Sequence, residues 1–150
     1  NKKIKMGKKE KLRLRVKSIG LSNKLKFKSS NKKVVSVTRK GKLKAKKKGK
    51  AIITIYGEKG ITAVCKVTVK KAPKSIVFKK KPSVMKVGDT FKLKTKLSNK
   101  SAGSVKFISK NKKVIKVSKD GMVKALRKGK AEIIARTYNR KEARIIITVK

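Results

Sequence analysis

The chain has no histidine and no tryptophan, a single cysteine, two prolines and only six acidic residues in 150. Each absence excludes something. Without histidine, the usual general base and the commonest zinc ligand are both missing. One cysteine, Cys65, rules out an internal disulfide and does not decide the redox compartment. The six acids are Glu10, Glu58, Asp89, Asp120, Glu132 and Glu142. Aligned copy on copy, they share no position, whereas a repeated calcium site would repeat its carboxylates. Catalytic, cofactor-binding and metal-binding residues are therefore all expected to be absent. Aromatics make up 4% of the chain, too few for a base-stacking platform. No run approaches the ~18 apolar residues of a helical membrane span. A chain opening on Asn1, with no charged-then-apolar leader, is expected to be a mature or excised fragment.

Basic residues are what the chain has in excess. Fifty Lys and Arg against the six acids give a formal charge of +44. Only seven of the fifty are Arg. Lysine is a hydrated point charge, and arginine is the residue of forked, shaped contacts, so this balance favours a solvated cationic surface. A 37% hydrophobic fraction separates the chain from a disordered basic tail.

The sequence also repeats itself. Ser29–Val37 returns as Ser109–Val117, and aligning 29–55 with 109–135 gives 14 identities in 27 positions without a gap. Gly41 falls on Gly121, Ala45 on Ala125, Gly49 on Gly129 and Ile53 on Ile133. A unit copied along a chain is usually a scaffold or binding module and weighs against an enzyme. We expect domains at 1–71 and 72–150, with Pro73 holding Ala72 extended at the joint. Matching Met6-Gly7 to Val87-Gly88 leaves the strand Ser75–Phe78 without a counterpart, so the first unit is expected to lack its opening strand.

Within each unit the pattern alternates. Leu12-Arg13-Leu14-Arg15-Val16-Lys17, Leu25-Lys26-Phe27-Lys28 and Phe91-Lys92-Leu93-Lys94 each read apolar-in, basic-out. That is the period of half-buried antiparallel strands. Turns follow at Lys40-Gly41 and Asp120-Gly121, at Gly49 and Gly129, and at Gly57–Gly60 and Asn139–Lys141. Some seven short strands per unit argue for an all-β chain of two β-sandwiches. The expected inward set of the first unit is Leu12, Leu14, Val16, Phe27, Val37, Leu43, Ala45, Ile53, Cys65 and Val67. In the second unit Leu93, Thr95, Leu97, Phe107, Val117, Val123, Ala125, Ile133, Ile145 and Ile147 are expected to take those places. Cys65 aligns with Ile145 and reads as a small buried hydrophobe, not a nucleophile.

These residues carry a resemblance. Met6-Gly7, the alternating Leu12-Leu14-Val16, Phe27 with Ser29-Ser30-Asn31, Val34 and Val37, Gly41 to Ala45, Gly49-Ala51-Ile53 and Cys65-Val67-Val69 resemble the group 2 bacterial immunoglobulin-like domain. The second copy repeats the pattern through Ile145-Ile147-Val149. Phenylalanine stands at positions 27 and 107 where the family often has tryptophan, and the surface is far more basic than the family needs. The resemblance implies two tandem immunoglobulin-like sandwiches of the invasin and intimin type, in an extracellular bacterial cell-surface or secreted protein. It implies a structural spacer whose partners are other domains of the same protein. The alternative is a cationic adhesion module that binds anionic polymers such as teichoic acid or sulfated host glycans. Its contacts would be diffuse: Arg13, Arg15, Lys17, Lys26, Lys28, Lys42, Lys44, Lys92, Lys94 and Lys124. Specific nucleic-acid recognition is disfavoured by the lysine bias and the absence of a reader motif.

Overall fold

The computed structural model describes residues 2–16 and 25–150. The chain divides into two compact units, residues 1–72 with 100–103, and residues 73–99 with 104–150. Of the sequence expectations, Lys17 lies outside the described residues.

Unit 1 contains β1 (Lys2–Gly7), β2 (Lys11–Arg13), β3 (Lys26–Ser29), β4 (Val35–Val37), β5 (Lys42–Ala45), β6 (Gly49–Tyr56) and β7 (Thr62–Lys70), with one turn of 3₁₀ helix at Glu58–Gly60. One sheet runs β1-β7-β6-β3 and the other β2-β5-β4. Unit 2 contains β8 (Ile76–Lys80), β9 (Val84–Met85), β10 (Thr90–Lys92), β11 (Lys94–Leu97), β12 (Val105–Ser109), β13 (Ile115–Val117), β14 (Met122–Ala125), β15 (Gly129–Thr137) and β16 (Glu142–Val149). Its sheets are β12-β15-β16-β9 and β10-β14-β13, with an added pair β11-β8. The expected all-β sandwich architecture is present in both units.

Alternation works as anticipated on the long strands. Along β7 the residues Cys65, Val67 and Val69 are buried, and along β16 so are Ile145, Ile147 and Val149. Ile53 and Ile133, at the same register on β6 and β15, are both fully buried. Leu43 and Val123 sit at the centre of the facing sheet. Burial pushes the Cys65 thiol up, as an apolar surrounding does to any group that must become charged, with Lys2 pulling weakly the other way.

Two glycines seat the aromatic rings. At Gly41 and Gly121 φ is +70° and +88°. A Cβ added there would lie 3.0 Å from the Phe27 ring and 2.8 Å from the Phe107 ring. The ring therefore occupies the space of a missing side chain, which explains why glycine and phenylalanine are kept together in both copies.

The structure corrects the alignment at the front of each unit. Met6 pairs with Val69, and Met85 with Val149. Lys9 N–H donates to Ala45 O (2.9 Å) as Gly88 N–H does to Ala125 O (3.0 Å). Ala45 N–H donates to Glu10 O, and Ala125 N–H to Asp89 O, both at 2.9 Å. Met6 thus matches Met85 and not Val87, and Leu12 and Leu14 match Phe91 and Leu93. The alignment erred by assuming that glycine must meet glycine. The left-handed turn position is Gly88 in one copy (φ +92°) and Lys9 in the other (φ +70°).

Three expectations fall with that alignment. The acids do share a position: Glu10 and Asp89 are equivalent. Val16 is 37% exposed, not inward, and Thr95 and Leu97 are only half-buried on β11. The sandwiches are also not wholly antiparallel, because β1 pairs with β7 and β9 with β16 in parallel. Period-two patterning reports which face is buried and says nothing about strand direction.

Candidate functional site

The first site-like feature is the turn that the two acids share. Glu10 is 1% exposed, and its Oε2 accepts the Gly7 N–H at 2.9 Å. Asp89 Oδ2 accepts the Lys86 N–H at 2.8 Å on an exposed turn. A carboxylate closing its own turn satisfies backbone donors, so this pair is structural. The Ser-x-Asn motif is structural too. Asn31 Oδ1 accepts the Val34 N–H at 3.2 Å, and Asn111 Oδ1 accepts the Val114 N–H at 3.3 Å, fixing the bend into β4 and β13. The Ser29 hydroxyl donates to Val35 O at 2.7 Å, while Ser109 Oγ is buried without a partner. Among the described residues no three metal-ligating side chains converge.

The cationic positions separate into distinct places. Arg13 on β2 lies opposite Lys42 on β5, and Lys11 opposite Lys44. Arg15 continues the exposed side of that edge. With the turn residues Arg39 and Lys40, these side chains border two adjoining depressions over Leu12, Leu14 and Leu25. Lys26 and Lys28 are exposed on β3, in the other sheet of unit 1. In unit 2, Lys94 and Lys124 are exposed, whereas Lys92 is ion-paired with Asp120. The structure thus brings Arg13, Arg15 and Lys42 together, with Lys44 beside Lys11 on the same face, and leaves Lys26, Lys28, Lys92, Lys94 and Lys124 apart. The sequence reading missed Lys11, Arg39 and Lys40. The signal was the turn before Gly41, which the hairpin folds back beside β2.

Unit 2 compensates the equivalent rim. Lys40 is replaced by Asp120, which Lys92 and the Ser118 hydroxyl hold at about pKa 2, well below the usual carboxylate range. On its long sheet, Glu142 accepts from both Arg136 and Arg144, the latter at 2.9 Å, and Glu132 lies 3.4 Å from Arg144. The Arg136 guanidinium lowers the Glu142 carboxyl most.

The topology in both units is that of an immunoglobulin-like β-sandwich. The family model for the bacterial Ig-like domain (group 2) matches residues 1–76 and again 72–146, and the chain belongs to that family. Among solved structures it is similar to the surface-layer protein rSbsC(31-844), at 22% identity over 85% of this chain and 20% of that one, with a TM-score of 0.45. SbsC domains 4 and 5 are 24% identical over 85% of this chain and 70% of that one, with a TM-score of 0.41. A C-terminal 282-residue fragment of intimin, in complex with the translocated intimin receptor's intimin-binding domain, is 15% identical over 83% of this chain and 50% of that one, with a TM-score of 0.42. The chain spans about a fifth of the length of the first of these. A search of curated proteins finds no match.

Proposed function

We propose that this chain is a structural repeat module of a bacterial cell-surface or secreted protein, spacing other domains of that protein outward. The observation that carries the reading is what the two copies keep. Among the positions they share are buried strand residues, the glycine seats under Phe27 and Phe107, and the turn acids Glu10 and Asp89. Every one of these builds the sandwich. The exposed positions are mixed: Lys32, Lys33, Lys44, Lys48 and Lys50 recur as Lys112, Lys113, Lys124, Lys128 and Lys130, whereas Arg39-Lys40 becomes Lys119-Asp120, so no shaped surface feature is repeated as a unit. The reading needs no cofactor and no catalytic residue. Its test is replacement of both units, in the parent protein, by an unrelated pair of sandwiches of equal length. Reach and display of the distal domains should be kept. Loss of surface attachment with reach intact would refute the purely structural role.

A second reading, the cationic adhesion module, is favoured by the rim of unit 1. There, exposed cations crowd one edge with no acidic partner among the described residues. This reading also places the chain outside the cell, in contact with anionic wall or host polymers.

A further inference from the structure

We infer that the edge of unit 1 formed by Lys11, Arg13, Arg15, Arg39, Lys40 and Lys42 is a localised binding site for a linear polyol-phosphate polymer. The inference rests on the adhesion reading and sharpens it from a diffuse surface to one groove.

Three observations converge. The first is residue type. The chain has seven arginines among fifty basic residues, and three of them meet here. Arginine's planar fork matches the oxygens of a phosphate, and lysine adds unforked charge around it. The second is compensation. None of the six has an acidic partner among the described residues, and Glu10, the nearest acid in sequence, is turned into its own buried turn. At the equivalent edge of unit 2 the same framework carries Thr90, Lys92, Lys94, Lys119, Asp120 and Met122, with Lys92 and Asp120 neutralising each other. The charge of the unit 1 edge is therefore not a by-product of the fold.

The third observation is shape. Arg13 and Arg15 project from alternate positions of one extended segment, a spacing of roughly 6.6 Å. That suits successive phosphodiesters joined through a short aliphatic unit. The floor is aliphatic, lined by Leu12, Leu14 and Leu25. The one aromatic ring there, Phe27, is packed onto Gly41, where an added Cβ would sit 3.0 Å away. It cannot swing out to stack on a base, so a polymer without bases fits better than a nucleic acid. At about 0.15 M salt, screening falls to roughly 8 Å, so only charges next to the polymer count.

The test uses the full chain and poly(glycerol phosphate) at about 0.15 M salt. The triple variant Arg13→Gln, Arg15→Gln, Arg39→Gln is compared with a charge-matched triple in unit 2, Lys94→Gln, Lys116→Gln, Lys119→Gln. All six side chains are exposed, and an unchanged far-ultraviolet sheet spectrum checks folding. The rim triple should bind about tenfold or more weakly, and its salt dependence should flatten by about two phosphate contacts. The unit 2 triple should change affinity by less than about threefold at this salt. Arg13→Lys, Arg15→Lys, Arg39→Lys keeps the charge and should still lose several-fold, because the forks are gone. Equal weakening by the two Gln triples would overturn the localised site while leaving diffuse adhesion standing. Absence of any binding by the unaltered chain would remove the adhesion reading itself. Heparin or duplex DNA competing more strongly than the charge-matched polyol phosphate would overturn the assigned polymer.

Discussion

Units 1 and 2 answer the same packing problem with corresponding buried side chains, yet they pair their surface charges differently. Ile53 and Ile133, Leu43 and Val123, and Val67 and Ile147 hold corresponding places in the two cores. Around them, unit 2 ties its surface together: Lys92 with Asp120, and Arg136 and Arg144 with Glu142. Unit 1 has Tyr56 opposite Thr62 where unit 2 has Arg136 opposite Glu142, and leaves its arginine edge bare. The difference teaches that interior positions are constrained by close packing, where one methylene matters. A solvated charge changes stability little, so surface charges drift or are recruited without disturbing the frame.

The comparison breaks most visibly at the rings. Phe107→Ala and Phe27→Ala should each cost about 3 kcal/mol, through lost burial and a cavity over the glycine seat. Chemical denaturation of each variant measures it, and a loss below about 1 kcal/mol would show that the ring is not structural. Gly121→Ala should cost about 2–3 kcal/mol, combining left-handed strain with collision against the Phe107 ring. Gly41→Ala, with slightly more room, should cost less in the same assay.

The shared acid sharpens the comparison next. Glu10→Ala leaves a buried turn donor unsatisfied and should cost about 2 kcal/mol. Asp89→Ala, on an exposed turn, should cost clearly less, and thermal melts of both variants decide it. Lys9→Gly relieves a left-handed lysine but loosens the unfolded chain, so the net gain should stay below about 1 kcal/mol. The smallest effect is on the acid limb. The Asp120 pKa is lowered in the folded state, so its contribution is present above the ordinary carboxylate value and fades as pH falls toward about 2. Asp120→Asn should flatten that part of the slope between pH ~4 and ~2, its small loss of stability being present at neutral pH and vanishing as pH falls toward about 2, as acid titration by circular dichroism would report.

Much of this molecule is readable from its residues. Alternation at Cys65-Val67-Val69 and Ile145-Ile147-Val149 places the core faces, and the duplicated glycines place the turns. What escaped was whatever depends on backbone conformation without a compositional mark. Lys9 adopts a conformation that a reader looks for in glycine, so the Glu10–Asp89 equivalence stayed hidden behind Met6-Gly7 and Val87-Gly88. The basic edge was half legible. Arg13 and Arg15 announce themselves by alternation, but Arg39 and Lys40 reach them only because a hairpin folds β5 beside β2, a pairing between residues distant in sequence.

The parallel edge has a mechanical consequence. β1 runs alongside β7 in the same direction over six residue pairs, from Lys2 with Cys65 to Gly7 with Lys70. Tension entering along β1 and leaving along β7 pulls the two strands lengthwise past each other. The ladder is then loaded in shear, and its hydrogen bonds must fail together, not unzip one at a time. In unit 2 the corresponding ladder has two pairs, Val84 with Thr148 and Met85 with Val149. A pull applied along these two strands thus meets six pairs in unit 1 and two in unit 2, where the chain first enters through β8 and its antiparallel partner β11.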